Sequence, residues 1–285
     1  MKNIFNSILL SLICIVLYSL TPISAQNAKD LLIQATDINV SSEILTQSAK
    51  VMNNRLIAYG IKTKVRVIYD KAQIVIEILS NINKSEFTQL LTSKGDLGFY
   101  ETLTLSEIKE SLKHENQKSL DDFQVNSSDS RIGCATSKDP KMEETIQNYL
   151  KQNNLSKNTK LLWSQFNSNS QTCLYVLKTD NVGNPPLVRS DIETISSSKD
   201  NNSQSFNIEV KFTSEAAKIW ADLTKKNLNK PIAIVIDDKV YYTPVVKTAM
   251  ESGLCEITGN LSEKEANFFL ALVNNGNLSA NFIVK

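Results

Sequence analysis

The sequence predicts an α+β protein of two mixed α/β lobes joined by an irregular α+β insert. In residues 26–103, and again in residues 203–285, apolar strand-like runs alternate with helices that begin at Ser or Thr caps. Residues 104–202 separate these lobes and contain long polar stretches rich in Asn, Ser and Asp. Residues 1–25 precede the first lobe and have a different composition.

The first 25 residues are typical of a secretory signal peptide. Lys2 supplies a positive start, residues 8–20 are almost wholly apolar, and Ser24-Ala25 ends the segment with small residues. The apolar run is shorter than the ~20 residues that a membrane-spanning helix needs. We therefore expect an exported chain in the periplasm or cell envelope, cleaved after Ala25, with an uncleaved anchor as the alternative.

Composition excludes several classes of function. The net charge of +1 and the isoelectric point near 7.6 give no electrostatic case for binding nucleic acid or an anionic membrane. Apart from Cys14 in the leader, the cysteines are Cys134, Cys173 and Cys255, with no C-x-x-C motif. Export permits disulfides. Cys134 and Cys173 lie in strand-like runs, so a disulfide between them and three free buried thiols are both open, and no metal or cofactor is expected.

The first lobe is predicted to have the element order βαββαβ. Ser41 caps the first helix, and Asn83 with Glu86 opens the second. Gly60 and Gly95 stand where helix C-terminal glycines belong. The strands are expected at residues 36–40, 64–69, 74–79 and 97–100. This order is that of the ferredoxin-like split βαβ arrangement.

The insert is expected to hold short helices and one hairpin. Thr104 and Glu107 form a capping box, and Asp139-Pro140 begins another helix. Strands at residues 161–163 and 172–177 are expected to pair around an Asn-Ser loop at 167–170.

The last lobe has a similar predicted alternation of strands and capped helices to the first. Alternating residues 206–212 predict a strand, and Thr213 caps a helix with Trp220 in its apolar stripe. Ser262 and Glu265 form a capping box for the final helix. Between these helices, apolar runs on both sides of Asp237-Asp238 predict a hairpin that forms the inner pair of a sheet.

Several stretches of the last lobe resemble the head region of SecD, which is often fused as SecDF and assists bacterial protein export. The residues that carry the resemblance are Phe212–Ala217, Leu223-Thr224, Ile232–Asp237, Pro244, Ile257–Asn260 and Glu263–Ala266. Residues 36–40, Arg55–Gly60 and Leu91–Phe99 similarly resemble the SecD base, while residues 162–164 and 186–191 resemble SecDF inserts more loosely. The resemblance implies a SecD-like base and head, without the later transmembrane helices, because the sequence stops at Lys285.

The sequence departs from the family pattern beside the hairpin. Asp238 stands where the family usually has glycine, Ala216 also replaces a common glycine, and Tyr242-Thr243 replaces Ser-Ala before Pro244. A left-handed turn is less favourable for Asp than for Gly. These substitutions motivate an alternative in which the chain kept the fold but left the export pathway.

Tyr241, Tyr242 and Pro244 are the candidate polypeptide-contact residues. Neighbours on a strand point to opposite faces, so one tyrosine is expected to be buried and the other exposed beside Pro244. An exposed aromatic ring there would suit contact with an extended polypeptide. Ordinary coverage of the sheet is the structural alternative.

No residue pattern predicts catalysis. His114 is the single histidine, and nothing around it indicates a nucleophile or metal ligands. The pairs Asp121-Asp122 and Asp237-Asp238 are expected to be solvent-facing turn acids, since adjacent acids rarely converge as a glycosidase pair does. The resemblance therefore implies a non-enzymatic protein that binds polypeptide or a translocon partner. The alternative is a scaffold protein of the cell envelope.

Overall fold

A computed structural model describes residues 29–79, 87–110, 130–135, 138–152, 154–165, 171–201 and 203–285. The predicted signal peptide, the cap at Asn83 and Glu86, and the loop 167–170 lie outside the described residues. The helices are α1 Ser42–Ala58, α2 Thr88–Thr92, α3 Leu105–Glu110, α4 Pro140–Gln152, α5 Ser214–Lys226 and α6 Glu263–Asn274.

The strands carry the labels β1 to β14 in chain order. They are β1 Lys29–Ala35, β2 Thr63–Ile68, β3 Gln73–Ile78, β4 Leu97–Leu103, β5 Arg131–Ala135, β6 Thr159–Trp163, β7 Thr172–Lys178, β8 Leu187–Val188, β9 Ile192–Lys199, β10 Phe206–Phe212, β11 Ile232–Ile236, β12 Lys239–Tyr242, β13 Leu254–Leu261 and β14 Phe282–Val284. They form antiparallel sheets in the orders β14-β1-β3-β2, β13-β10-β9 and β12-β11-β4-β7-β5.

The mixed α/β fold class is confirmed, but the first lobe is not closed by its own strands. Its fourth strand position is filled by β14, whose Phe282 pairs with Ala35, while β4 pairs with β11 in another sheet. Residues 97–102 of β4 are all buried, which suits a strand covered on both faces. The first strand is also corrected from residues 36–40 to β1, because Asp37 instead accepts a hydrogen bond from Asn39 N in a turn.

The predicted helix caps at Ser41, Thr104, Thr213 and Ser262 are present. Ser41 Oγ accepts a hydrogen bond from Ile44 N at 3.2 Å, and Thr213 caps α5 in the same way. Thr104 with Glu107, and Ser262 with Glu265, form reciprocal capping boxes. Local capping chemistry therefore fixes these helix starts, independently of the sheet in which each neighbouring strand pairs.

Arg55 joins the first lobe to the end of the last helix. Its side chain is fully buried in α1 and donates hydrogen bonds to four carbonyl oxygens, those of Leu90, Ser93, Lys94 and Gly276. Burial lowers the pKa of Arg55 to about 10, although Asp237 and Asp96 oppose that change, so the guanidinium stays charged at neutral pH.

An ion-pair network connects all three predicted segments. Glu101 of β4 lies 2.9 Å from Lys226 and 3.7 Å from Lys178, and Glu107 lies 2.6 Å from Lys230 and 3.9 Å from Lys178. Partial burial of Glu107 raises its pKa, but hydrogen bonds from Lys230 and Thr104 outweigh that effect and hold the pKa below its ordinary value. The insert and the last lobe are thus held together by charge as well as by sheet pairing.

Cys134 and Cys173 are joined by a disulfide. They face each other across β5 and β7, at one end of the long sheet. Cys255 is free and buried, and burial raises the pKa of its thiol to about 12. A protonated thiol is a poor nucleophile. We therefore interpret the buried Cys255 as a residue that packs the core.

Candidate functional site

The Asp237-Asp238 turn is built into the fold. Both residues have positive φ values, +48° and +60°, as a two-residue type I′ hairpin turn requires. Asp237 Oδ1 accepts hydrogen bonds from the backbone N–H groups of Gly95 and Asp96, each at 2.9 Å. Asp238 pairs with Lys160. The hairpin itself is as predicted, but Asp237 is a structural anchor and only Asp238 faces solvent.

The position of the hairpin differs from the predicted inner pair. β11 lies between β12 and β4, whereas β12 is the outer strand of the long sheet. The segment after β6 covers part of this outer edge, because Gln165 N donates to Val240 O at 2.8 Å.

Tyr241 and Tyr242 do not point to opposite faces. The pairing of β12 with β11 shifts between Ile234 and Val235, so Tyr241 is the extra residue of a β-bulge. Both rings consequently pack near Phe269, with centroids 6.4 Å and 5.5 Å from it. The expectation that one ring is exposed is wrong, since Tyr241 is 5% exposed and the hydroxyl of Tyr242 is buried.

Burial also decides the chemistry of these tyrosines. It is the main cause that raises the pKa of each phenol above its ordinary value, so both hydroxyls stay neutral. Gln89 Nε2 donates to Tyr241 Oη. The pair therefore packs the core and positions the chain that leads into Pro244.

Pro244 lies beside a groove of about 340 Å³ between α5, the segment after β12, and β13. Its carbonyl accepts a hydrogen bond from Ile232 N at 3.1 Å, which fixes the start of that segment. The groove is mostly apolar, with Glu256, Lys247 and Thr258 at its polar rim. Its apolar lining consists of Trp220, Ile232, Pro244, Val245, Val246, Met250 and Cys255.

One side of the groove is the outer edge of β13. In the described residues, β13 pairs with β10 and with no strand on its other side. Phe212 N donates to Gly253 O at 2.9 Å. This bond fixes which residues of β13 direct their backbone groups towards β10 and which direct them away from it. The backbone N–H and C=O groups of Cys255 and Ile257 therefore face β10, and those of Glu256 point outward.

Three other outer strands, β14, β2 and β9, are shortened, charged or partly covered. β14 has three residues, and β2 carries Lys64 and Arg66. The β9 edge is partly occupied, because Asn274 Nδ2 and Arg189 Nη1 donate to its carbonyls at 2.9 and 3.1 Å. By contrast, Glu256 is the one charged residue of β13. Exposed edges without such protection are ready to pair with another chain.

The described residues lack a metal-binding cluster. Within them, no cluster of three or more His, Cys, Asp or Glu side chains has the arrangement that holds a metal ion. His114 and Asp121-Asp122 lie outside the described residues. A second hollow of about 500 Å³ lies beside Asp237 and Tyr100, where burial raises the pKa of Tyr100 to about 12. Its rim mixes acids with Lys94 and Lys239.

Comparison with known proteins shows which family part of this chain resembles. Residues 163–280 match the family model described as SecDF, P1 head subdomain. This part of the chain is similar to the SecDF P1 head subdomain. The matched range of this head begins inside the segment that the sequence predicted as an insert.

Curated SecD proteins support the same relationship. The chain is 34% identical over 99 residues to protein translocase subunit SecD of Acidaminococcus fermentans, covering 35% of this chain and 24% of that protein. It is 42% identical over 73 residues to SecD of Rhodothermus marinus, covering 26% and 12%. It is 30% identical over 103 residues to SecDF of Thermus thermophilus, covering 36% and 14%. The similarity thus spans a quarter or less of each relative.

A solved SecDF structure shares the fold. The crystal structure of SecDF in a super-membrane-facing form matches 90% of this chain and 29% of its own chain, at a TM-score of 0.51 and 21% identity. The predicted likeness to a SecD periplasmic region is confirmed. No helix in the part of this SecD-like chain that the structure describes has the length and apolar content needed to cross a membrane.

The structure gives the SecD-like motifs structural roles. Ile232–Asp237 forms β11 and its turn, Leu91–Phe99 includes the loop that Arg55 holds, and Ile257–Asn260 belongs to β13. Sequence reasoning selected the tyrosines and missed the open edge of the neighbouring strand. The sequence predicted a strand at residues 255–258, but which side of it remains unpaired depends on contacts distant in sequence.

Proposed function

We propose that this chain binds extended polypeptide segments during protein translocation, by pairing them with the outer edge of β13 beside the groove. The observation that carries the proposal is the outward-pointing N–H and C=O of Glu256, on an edge that no described strand pairs with. The similarity to relatives described as protein translocase subunits supports a role in protein translocation, the process in which such binding would occur. Export of this chain by its first 25 residues would place the edge where emerging segments pass.

Pairing at a strand edge suits a protein that meets many different segments. Main-chain hydrogen bonds supply affinity without reading side chains, while a neighbouring groove adds limited preference for apolar residues. Each such hydrogen bond contributes about 0.5–1.5 kcal/mol net. The ordering of the segment offsets much of this gain, so binding is expected to be weak and reversible. Pro244 belongs to this proposal as a wall of the groove, and Tyr241 and Tyr242 support that wall from the core.

Replacing Glu256 with proline is expected to weaken peptide binding at least tenfold. Proline removes the outward N–H donor but leaves the hydrogen bonds between β13 and β10 in place. The probe is a blocked twelve-residue peptide of alternating valine and threonine with a lysine at each end, and calorimetry measures its affinity.

Glu256→Ala is the matched control, because it removes the carboxylate and keeps the N–H. The control is expected to bind the peptide within about twofold of the native chain, since surface side chains contribute little to main-chain pairing. Equal affinities for the proline and alanine variants, or no binding to the native chain, would show that β13 does not bind through its backbone.

A further inference from the structure

Trp220 carries an indole N–H that has no acceptor in the part of the chain that the structure describes. Its side chain is 2% exposed, and Nε1 is buried without a hydrogen-bond partner among the described residues. The rings of Phe99 and Phe212 pack against the indole, with centroids 5.8 and 4.9 Å away. Trp163 provides the contrast, since its Nε1 donates to Glu143 Oε2 at 2.8 Å. A buried donor without an acceptor is unfavourable and uncommon in folded proteins.

The indole of Trp220 also lines the groove beside β13. Most of the other residues in that lining are apolar, including Val246 and Met250, and Lys247, Glu256 and Thr258 are its polar members. An apolar groove disfavours a charged group that enters without a counterion, but it accepts a neutral carbonyl that gains a hydrogen bond. A main-chain carbonyl, which a polypeptide carries at every residue, is therefore a suitable acceptor for this N–H.

The segment after β12, which lies along the groove, is fastened by hydrogen bonds at two residues, Val246 and Met250. Asn229 N donates to Val246 O at 2.8 Å, and Met250 N donates to Thr224 Oγ1 at 3.0 Å. Residues 247–249 between these points are exposed. Because Nε1 is buried, an incoming carbonyl reaches it only when part of the groove lining moves outward.

We propose that Trp220 Nε1 donates a hydrogen bond to a main-chain carbonyl of the polypeptide segment that pairs with β13. The inference rests on the proposed function and adds a positioning contact to it. Pairing with β13 alone permits the segment to slide along the edge, whereas a single buried donor favours one register. Trp220 thereby limits the bound backbone to a position where a carbonyl, and an adjacent small or apolar side chain, enters the groove.

Trp220→Phe tests the inference because phenylalanine keeps an aromatic ring and removes the donor. We expect the affinity for the blocked valine-threonine peptide to fall about 3- to 10-fold. The thermal midpoint of the free protein is expected not to fall, because the substitution removes an unpaired buried donor. Trp163→Phe is the matched control for losing an indole elsewhere and is expected to leave peptide affinity unchanged.

Nuclear magnetic resonance of ¹⁵N-labelled indoles gives a second readout. Peptide binding is expected to shift the Trp220 Nε1–H resonance downfield and slow its solvent exchange, while the Trp163 resonance stays in place. Peptide binding to the native chain with equal affinity for Trp220→Phe and an unmoved Trp220 resonance would overturn this inference and leave the proposed function standing. Absence of peptide binding to the native chain would overturn both. A loss of affinity accompanied by a lower thermal midpoint would attribute the effect to packing and also count against the hydrogen bond.

Discussion

Replacing Arg55 with methionine is expected to lower the free energy of unfolding by about 3–5 kcal/mol. Methionine fills much of the same space but cannot donate to the carbonyls of Leu90, Ser93, Lys94 and Gly276. Those oxygens, at buried or part-buried positions, would lose a charged donor, and a buried acceptor left without a donor is costly. Urea unfolding followed by circular dichroism measures the change.

Arg66→Met is the matched control, since Arg66 is exposed on β2. A surface substitution of this kind is expected to change stability by no more than about 0.5 kcal/mol. A similar loss of stability in both variants would mean that the effect comes from the change in charge or composition, and not from the buried hydrogen bonds of Arg55.

The neighbouring Gly95 shows how closely this network is packed. A Cβ at Gly95 would lie 2.5 Å from Arg55 Nη2, and its φ of +90° disfavours any other residue.

Loss of the Cys134–Cys173 disulfide is expected to destabilise the insert by about 2–4 kcal/mol. The bond closes a loop of sequence separation 39, and it joins β5 to β7 where β5 is an outer strand. Without the bond the unfolded chain gains conformational freedom. Unfolding of the Cys134→Ser, Cys173→Ser double variant is compared with that of the native chain in urea.

Dithiothreitol supplies the control for this prediction. The reductant should lower the stability of the native chain to that of the double variant and leave the variant itself unchanged. Continued destabilisation of the variant by dithiothreitol would show that the effect does not come from this disulfide.

Features fixed by a few neighbouring residues could be predicted from the sequence. The caps at Ser41, Thr213 and Ser262 satisfy helix N–H groups within three residues, so their signal is local. The hairpin at Asp237-Asp238 is likewise a local turn between two apolar runs. The SecD-like motifs added the resemblance to SecD, and with it an expected fold class.

Strand partners could not be predicted in the same way. β14 closes the sheet of β1 although their sequences lie at opposite ends of the described chain, and β4 leaves its own lobe for β11. Such pairings depend on which surfaces become buried in the assembled fold.

The candidate site depended on these distant contacts. Tyr241 was expected to alternate with Tyr242, but the bulge opposite Ile234 and Val235 turns both rings towards Phe269. The open edge of β13 became visible only when β10 was seen on one side and no described strand on the other. Glu256 and Trp220 therefore replace the tyrosines as the residues that the proposed binding site depends on.

Photo-crosslinking during translocation tests the central claim most directly. A photoreactive residue at Glu256 is compared with one at Glu209, which lies on the same exposed sheet face but on β10 between β9 and β13. A secretory preprotein arrested during export is expected to form adducts with the Glu256 position and few with the Glu209 position. Equal adducts at both positions, or none at Glu256, would contradict the binding of polypeptide at this edge.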